Sequence, residues 1–456
     1  MLQGQGDFAH AQFIAQKLKK EFPNATYDLI TYVEPRSRYE KSQDYPDQQD
    51  LSFIEKITKL WSDQFGKIYL VNPKFEFGRD KLKALNSGKL DDTTKSILLE
   101  ADLICEVPVK FDNADFEELI KSKKSKVCRI REYDDLYRQQ DCLELGLREG
   151  SIGIHVLEEM KISKPLEQLE SVKLKELLFS TSSPSAEQVK QYKEGYSLYF
   201  GYIHGMRPIG RRTDRKFFNH ITFFLNLIVA IEFNDKKSID VCLPILELGI
   251  DDWQVDLDFL KEQGIGKIQL TFTEGESLNK EVVLNSSGKT MRIINCFPLS
   301  SQDFKSLVSY TMPIVGCTGD MSFSEVVSAG KFPFYEDLKH KADFRESFFQ
   351  KIRNRSRYGL AIYRIINLIE CTIKNDIHEL LKLYPEPQIL ESRDGDITLR
   401  NRATKEIASL IKSINFEEEA KGIALEFCKT KNSWPIIKQK FFEILGASQP
   451  PIALPD

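Results

Sequence analysis

The chain has 456 residues, 41% of them apolar and 29% charged, and a formal net charge of −4. That length outgrows one ordinary core and predicts two or three domains, and the composition is that of a soluble globular protein. So balanced a charge gives no general reason to expect nucleic acid or an anionic membrane as partner, although local basic clusters can still hold phosphate. The eight Cys are scattered with no C-x-x-C pair, which argues against a zinc ribbon or disulfide framework and for a reducing cytosol. No secretory leader is visible behind Met1, so a cytoplasmic location is expected.

In chain order, Gly4-Gln5-Gly6-Asp7-Phe8-Ala9-His10 reads as a glycine-bearing turn ahead of an amphipathic helix to Phe22. Two roles are open to Asp7, helix N-cap or proton acceptor, and two to His10, packed helix residue or proton acceptor. Only Met1, Leu2 and Gln3 precede Gly4, too few for a full strand. Apolar runs at 27–33, 67–72, 102–107 and 126–131 predict strands, and 51–64, 91–100 and 113–121 carry helical spacing. This alternation predicts βαβ units and a mostly parallel sheet with helices on both faces. The Ser-rich FSTSSPSAE at 179–187 reads as a linker, so a first domain is expected over 1–183.

A second alternating set follows, with strands at 197–203, 238–243, 267–272 and 291–296 and helices at 213–233 and 301–309. The apolar run 217–233 is broken by Asn219, His220 and Asn226 and falls short of the ~20 residues a bilayer span needs, so it predicts a buried helix. Within this set, Tyr199-Phe200-Gly201-Tyr202-Ile203-His204-Gly205 leads to Arg207, Arg211, Arg212 and Arg215. Arginine forks suit phosphate oxygens, and Arg207 and Arg211 are the best placed; a solvated loop is the plain alternative. A second domain is expected over 184–340. Beyond Glu336 helical spacing dominates, which predicts a helical extension over 341–456.

The most informative stretch is 314–336, IVGCTGDMSFSEVVSAGKFPFYE. It reads as a buried strand, a Gly turn, a helix, a Gly stop and a short strand. That order sets backbone N–H groups at the end of a strand, where α/β folds hold phosphate. Ser322 and Glu325 have capping-box spacing and are open to a local reading, each satisfying the other's orphan amide. The functional reading makes them part of a diphosphate cradle with Thr318, Gly319, Asp320, Met321 and Phe323, in which Glu325 accepts from ribose hydroxyls.

The order of turn Gly, Ser-x-x-Glu, small residues and Gly-x-Pro-x-x-x-acid resembles the donor-binding element of GT-B glycosyltransferases. Asn295-Cys296-Phe297-Pro298-Leu299 with the following helix is similar to the segment before that element, and Gly4-Gln5-Gly6-Asp7 looks like the first turn of their N-terminal domain. Gly319-Asp320-x-Ser322-Phe323 also resembles the arginine rhamnosyltransferases of elongation factor P, departing at Met321 where they carry a second acid.

The resemblance implies an α/β chain of two Rossmann-like domains in GT-B arrangement with a C-terminal helical extension. It implies a UDP-, GDP- or dTDP-linked sugar as donor, met by Gly6, His204, Arg207, Arg211, Phe297 and residues 318–325, and a protein, glycan or lipid acceptor, with peripheral membrane contact as one option. Asp7 would be the base, with His10 second. Retaining members carry a second Glu where Pro333 stands, the eighth position after Glu325, so inversion by single displacement is implied. Helix dipole, amides and Arg can offset the charge of the leaving diphosphate, so neither metal nor cofactor is demanded. The same layout would serve a nucleotide-sugar 2-epimerase, or a non-catalytic scaffold acting through its helical tail. The Lys-, Ile- and Phe-rich composition suits an AT-rich bacterial genome.

Overall fold

The computed structural model describes residues 5–32, 67–71, 90, 92–107, 114–122, 126–131, 142–162, 165–203, 219–244, 256–273, 279–336, 342–353, 359–374, 376–384 and 395–446. The chain forms two compact units, Gln3–His155 with Ser433–Asp456, and Val156–Asn432. The chain thus passes from the first unit to the second and returns for its last helix. The Ser-rich stretch expected to separate the first two domains lies inside the second unit. There Ser185 and Gln188 form a reciprocal capping box, so the stretch starts a helix.

In the first unit, helix α1 (Gln5–Glu21) is followed by parallel strands β1 (Leu29–Tyr32) and β2 (Ile68–Val71). Helix α2 (Asp92–Glu100), strand β3 (Ile104–Glu106), helix α3 (Ala114–Ser122) and strands β4 (Val127–Arg131) and β5 (Cys142–Glu144) complete its first part. β3, β4 and β5 form a parallel sheet with β4 in the middle. Ile104 packs with Leu98, Phe116 and Ile120, so the amphipathic spacing of both helices is used to cover this sheet. The predicted helix at 51–64 lies outside the described residues.

The second unit opens with helices α4 (Val172–Phe179) and α5 (Ala186–Gly195) and strand β6 (Tyr196–Phe200). Helix α6 (His220–Ile231), strand β7 (Ser238–Cys242), helix α7 (Leu257–Glu262) and strands β8 (Ile265–Phe272), β9 (Lys280–Val283) and β10 (Lys289–Asn295) follow. Then come helix α8 (Ser301–Tyr310), strand β11 (Ile314–Thr318), helix α9 (Asp320–Ser328) and strand β12 (Phe332–Glu336). The strand order is β6-β7-β10-β8-β9, parallel except at β9. Parallel strands β11 and β12 adjoin the free side of β6 through a Gly201–Gly316 bridge. Every residue of β11 and β12 is buried, as parallel strands covered on both faces require. The apolar run thought too short for a bilayer is α6, buried along almost its whole length. Among the described residues no helix is long and apolar enough to cross a membrane.

Helices α10 (Ala342–Arg353), α11 (Gly359–Lys374), α12 (Ile377–Leu383), α13 (Gly395–Ser413) and α14 (Phe416–Thr430) belong to the second unit, and α15 (Trp434–Leu445) to the first. Much of the predicted extension therefore serves as packing. Phe344 and Phe348 meet Phe323 edge-on at 4.8 and 5.1 Å, and Phe416 meets Phe332 at 5.4 Å. In the first unit, α15 ties to α1 through Lys438 and Glu21 at 2.8 Å.

Candidate functional site

In the second unit the chain leaves β6 toward β7 on one side and comes back to β11 on the other. Strand order therefore reverses between β6 and β11, and ligands of open α/β sheets bind outside the carboxyl ends of strands at such a reversal. The segments leaving those ends are Gly201-Tyr202-Ile203 after β6, Cys296-Phe297 after β10, and Thr318-Gly319 running into α9 after β11.

The two strands meet through glycine. Tyr202 N donates to Gly316 O of β11 at 2.8 Å, while Gly201 N holds the other side by donating to Cys242 O of β7 at 2.9 Å. At the end of β11, Gly319 adopts φ +79 and stands as N-cap of α9 with no side-chain cap. Among the described residues no heavy atom comes within 4 Å of where its Cβ would sit. The first intrahelical amide bond is Phe323 N to Gly319 O at 3.2 Å, which leaves the amides of Asp320, Met321 and Ser322 ahead of the helical ladder. They sit at the positive end of the helix dipole.

The expected capping box is not formed. Helix α9 starts two residues before Ser322, whose hydroxyl instead donates to Thr318 O and, at 3.2 Å, to Gly319 O. Thr318 Oγ1 donates to Glu336 O at 3.3 Å. Asp320 and Met321 are buried. The Phe323 ring is packed against Tyr335, Phe344 and Phe348, so that side chain belongs to the core. Phe297 stacks on Phe200 at 5.9 Å and tilts against Tyr202 at 5.6 Å, which assembles an aromatic surface beside the β6 exit.

Glu325, freed from capping, is a half-buried carboxyl on α9. Burial pushes its pKa up to about 8, opposed by Lys305 on α8 and assisted by Glu159. Lys305 itself lies 3.6 Å from Glu159. Tyr202 is pushed up to about 12 by burial and by Glu325. At neutral pH the site therefore presents a neutral carboxyl and a neutral phenol, both able to donate a hydrogen bond. Tyr202 stands inside the Tyr-Phe-Gly-Tyr patch, where nothing local marks it for this role. Lys305 and Glu159 carried no local signal, since tertiary packing alone brings them to Glu325.

This arrangement makes a pH prediction. The native carboxyl keeps its proton between the ordinary value near 4.5 and about 8, so the native state binds more protons and stability falls as pH climbs through that window. Glu325→Gln should nearly match the parent near pH 5 and exceed it above pH 8 by up to about 5 kcal/mol, at about 1.4 kcal/mol per pH unit between the two values. Urea titrations at both values check it; parallel pH profiles for parent and variant would contradict the assignment.

The remaining predicted residues fall elsewhere. His204, Arg207 and Arg211 lie outside the described residues. Gly6 and Asp7 lie in the first turn of α1, which already starts at Gln5; no strand is described before it. His10 is buried at 3% exposure, with Nδ1 2.9 Å from His155 Nε2. His155 Nδ1 lies 3.1 Å from Ser433 Oγ, and its ring stacks on Phe13 at 4.2 Å. Burial, then His10 and Lys17, hold His155 well below the ordinary imidazole range. His10 thus helps tie α1, residue 155 and the start of α15 together within the first unit. Sequence spacing could not show this pair, because its members are 145 positions apart.

No known family model matches the chain, and no curated protein matches it.

Proposed function

We propose that the chain transfers a sugar from a nucleotide-diphosphate sugar to an acceptor, as a GT-B-type glycosyltransferase that inverts the anomeric centre. The observation that carries this reading is the passage from β11 through Gly319 into α9, at the reversal of strand order and with open space at the Gly319 α-carbon. A diphosphate there would accept from the amides of 320–322 and meet the helix dipole. Phe297 and Tyr202 offer a face for a base or sugar, and Glu325 a hydrogen-bond donor.

In the reaction, a base takes the proton of the acceptor hydroxyl or amide as the acceptor atom attacks the anomeric carbon. The bond from that carbon to the diphosphate oxygen breaks, and the nucleoside diphosphate leaves with the electron pair. The charge gathering on that oxygen is what the α9 amides offset. Asp7 is the proposed base. The second unit is the proposed donor lobe and the first the acceptor lobe.

Asp320 sharpens the pose. A buried carboxylate in the first turn of α9 already complements the dipole and would repel a phosphate set directly on it. The sugar hydroxyls, which donate to a carboxylate, belong on that side. Mass spectrometry of the full chain with a panel of UDP-, GDP- and dTDP-sugars tests the reading. One donor should be consumed with release of its nucleoside diphosphate; a panel left wholly intact and unbound would contradict it.

A further inference from the structure

Two of the eight cysteines are brought face to face by the parallel sheet of the first unit. Cys105 on β3 and Cys128 on β4 are direct register partners, although helix α3 lies between them in the chain. Directly paired residues on neighbouring strands project from the same face and stand about 4.8 Å apart. That falls inside the roughly 4.4–6.8 Å that a disulfide spans between α-carbons. The Cys105 thiol donates to the Cys128 sulfur, so the two atoms that a disulfide would join are already in contact.

The register that opposes the two thiols is held on the other face of the sheet. Glu106, which follows Cys105, accepts from Arg129 Nε at 2.9 Å and from Arg131 Nη2 at 2.7 Å, so two arginines of β4 share one carboxylate of β3. Access differs between the two cysteines. Cys105 is half-buried and lines a cavity with Ile14, Leu18 and Ile30, where a small oxidant can meet it, while Cys128 is buried. The hydrogen bond to Cys128, with burial, holds the Cys105 pKa well above the ordinary thiol range. The thiolate is the nucleophile, so the pair rests as a dithiol at neutral pH and answers only a sustained oxidant.

We infer that Cys105 and Cys128 form a peroxide-responsive dithiol, a site of reversible oxidation that cross-links β3 to β4. The co-reactant is hydrogen peroxide. Cys105 gives up its proton and its sulfur attacks one peroxide oxygen. The O–O bond breaks, a sulfenic acid forms, and the released hydroxide takes that proton and leaves as water. The Cys128 sulfur then attacks the sulfenic sulfur. The S–S bond forms, the S–O bond breaks, and a second water leaves with the Cys128 proton. Two thiols are oxidised to one disulfide and one peroxide is reduced to two waters. Dithiothreitol would reverse the link by thiol–disulfide exchange. The inference is independent of the nucleotide-sugar reading, whose site lies in the other unit.

Peptide mapping by mass spectrometry tests it, on the full chain treated with hydrogen peroxide while native and alkylated after unfolding. The first linkage should join Cys105 to Cys128, with the loss of two hydrogens from the intact mass, and dithiothreitol should undo it. Cys242 and Cys296 of the second unit are also in contact, but both are buried, so they should still be alkylated at that point. Cys128→Ser removes the thiol that resolves the sulfenic acid. In that variant dimedone should trap the sulfenic acid at Cys105 alone, a selectivity that a misfolded chain would not give, and in the parent it should trap little. The parent map needs no substitution and stands whatever the stability of the variant. Cys105 left unmodified or carried on to sulfinic acid in the parent, a first disulfide elsewhere, or equal dimedone labelling of parent and Cys128→Ser would overturn the site.

Discussion

Arg292→Met should destabilise the second unit by about 4 kcal/mol, because it strands a carboxylate that has no exposure to water. Asp240 on β7 is 0% exposed and faces Arg292 on β10 in register. Arg292 grips it with Nε at 2.7 Å and Nη2 at 2.5 Å, and Tyr192 donates to the same carboxylate at 2.7 Å. Arg292 also donates to Leu177 O at 2.8 Å and lies over the Tyr196 ring. Burial already raises the Asp240 pKa against the pull of Arg292. Without that cation the native state would take up a proton that the unfolded chain releases at neutral pH. The loss should therefore be larger at pH 8 than near pH 4, and adding Asp240→Asn should recover part of it. Urea unfolding at both pH values checks this; a change under about 1 kcal/mol at pH 8 would mean that the pair is not buried as described.

Gly316→Ala should cost about 3 kcal/mol, at the upper end of what overpacking does in a dense core. A Cβ there would stand 2.6 Å from Ile203 Cγ1 and 3.0 Å from Gly201 Cα. Ile203 is fully buried and Gly201 is backbone held by its own hydrogen bonds, so neither can give way cheaply. The strain would fall on the seam between β6 and β11, where the candidate donor site is built. Ile203→Ala added to Gly316→Ala removes the side-chain clash but not the backbone one, so the pair should be less destabilised than the sum of the single variants. Strict additivity would contradict this account of the seam.

Much of the fold was legible in the sequence because it is written in local periodicity. The apolar runs near 29, 68, 104 and 127 are β1 to β4, 238–242 is a strand within a residue of the expected bounds, and the strand expected to open at Ile314 begins there. The Gly319 turn was legible because a strand, a glycine and a helix follow one another directly. Short edge elements were missed: β9 is largely exposed and β5 has three half-buried residues, so neither shows a clear apolar run. Capping was misassigned for a physical reason. Ser322 and Glu325 have the right spacing, but Gly319 with its positive φ starts α9 earlier, and the Ser-x-x-Gln box lies at Ser185 in the supposed linker. Nor could the sequence show what long-range packing creates, namely the Tyr202–Glu325–Lys305 neighbourhood, the His10–His155 pair, and the sharing of Glu106 by two arginines.

The central claim is that a nucleoside diphosphate binds at Gly319. Thermal unfolding of the parent and of Gly319→Val with UDP, GDP and dTDP in turn tests it most directly. Valine at φ +79 costs about 1–3 kcal/mol of strain and fills the space a phosphate would need, so the variant should fold with a lower midpoint. One of the three nucleotides, at a hundredfold its dissociation constant, should stabilise the parent by about 2.7 kcal/mol, and none should shift Gly319→Val. A parent chain indifferent to all three, or a variant that responds as the parent does, would contradict the claim.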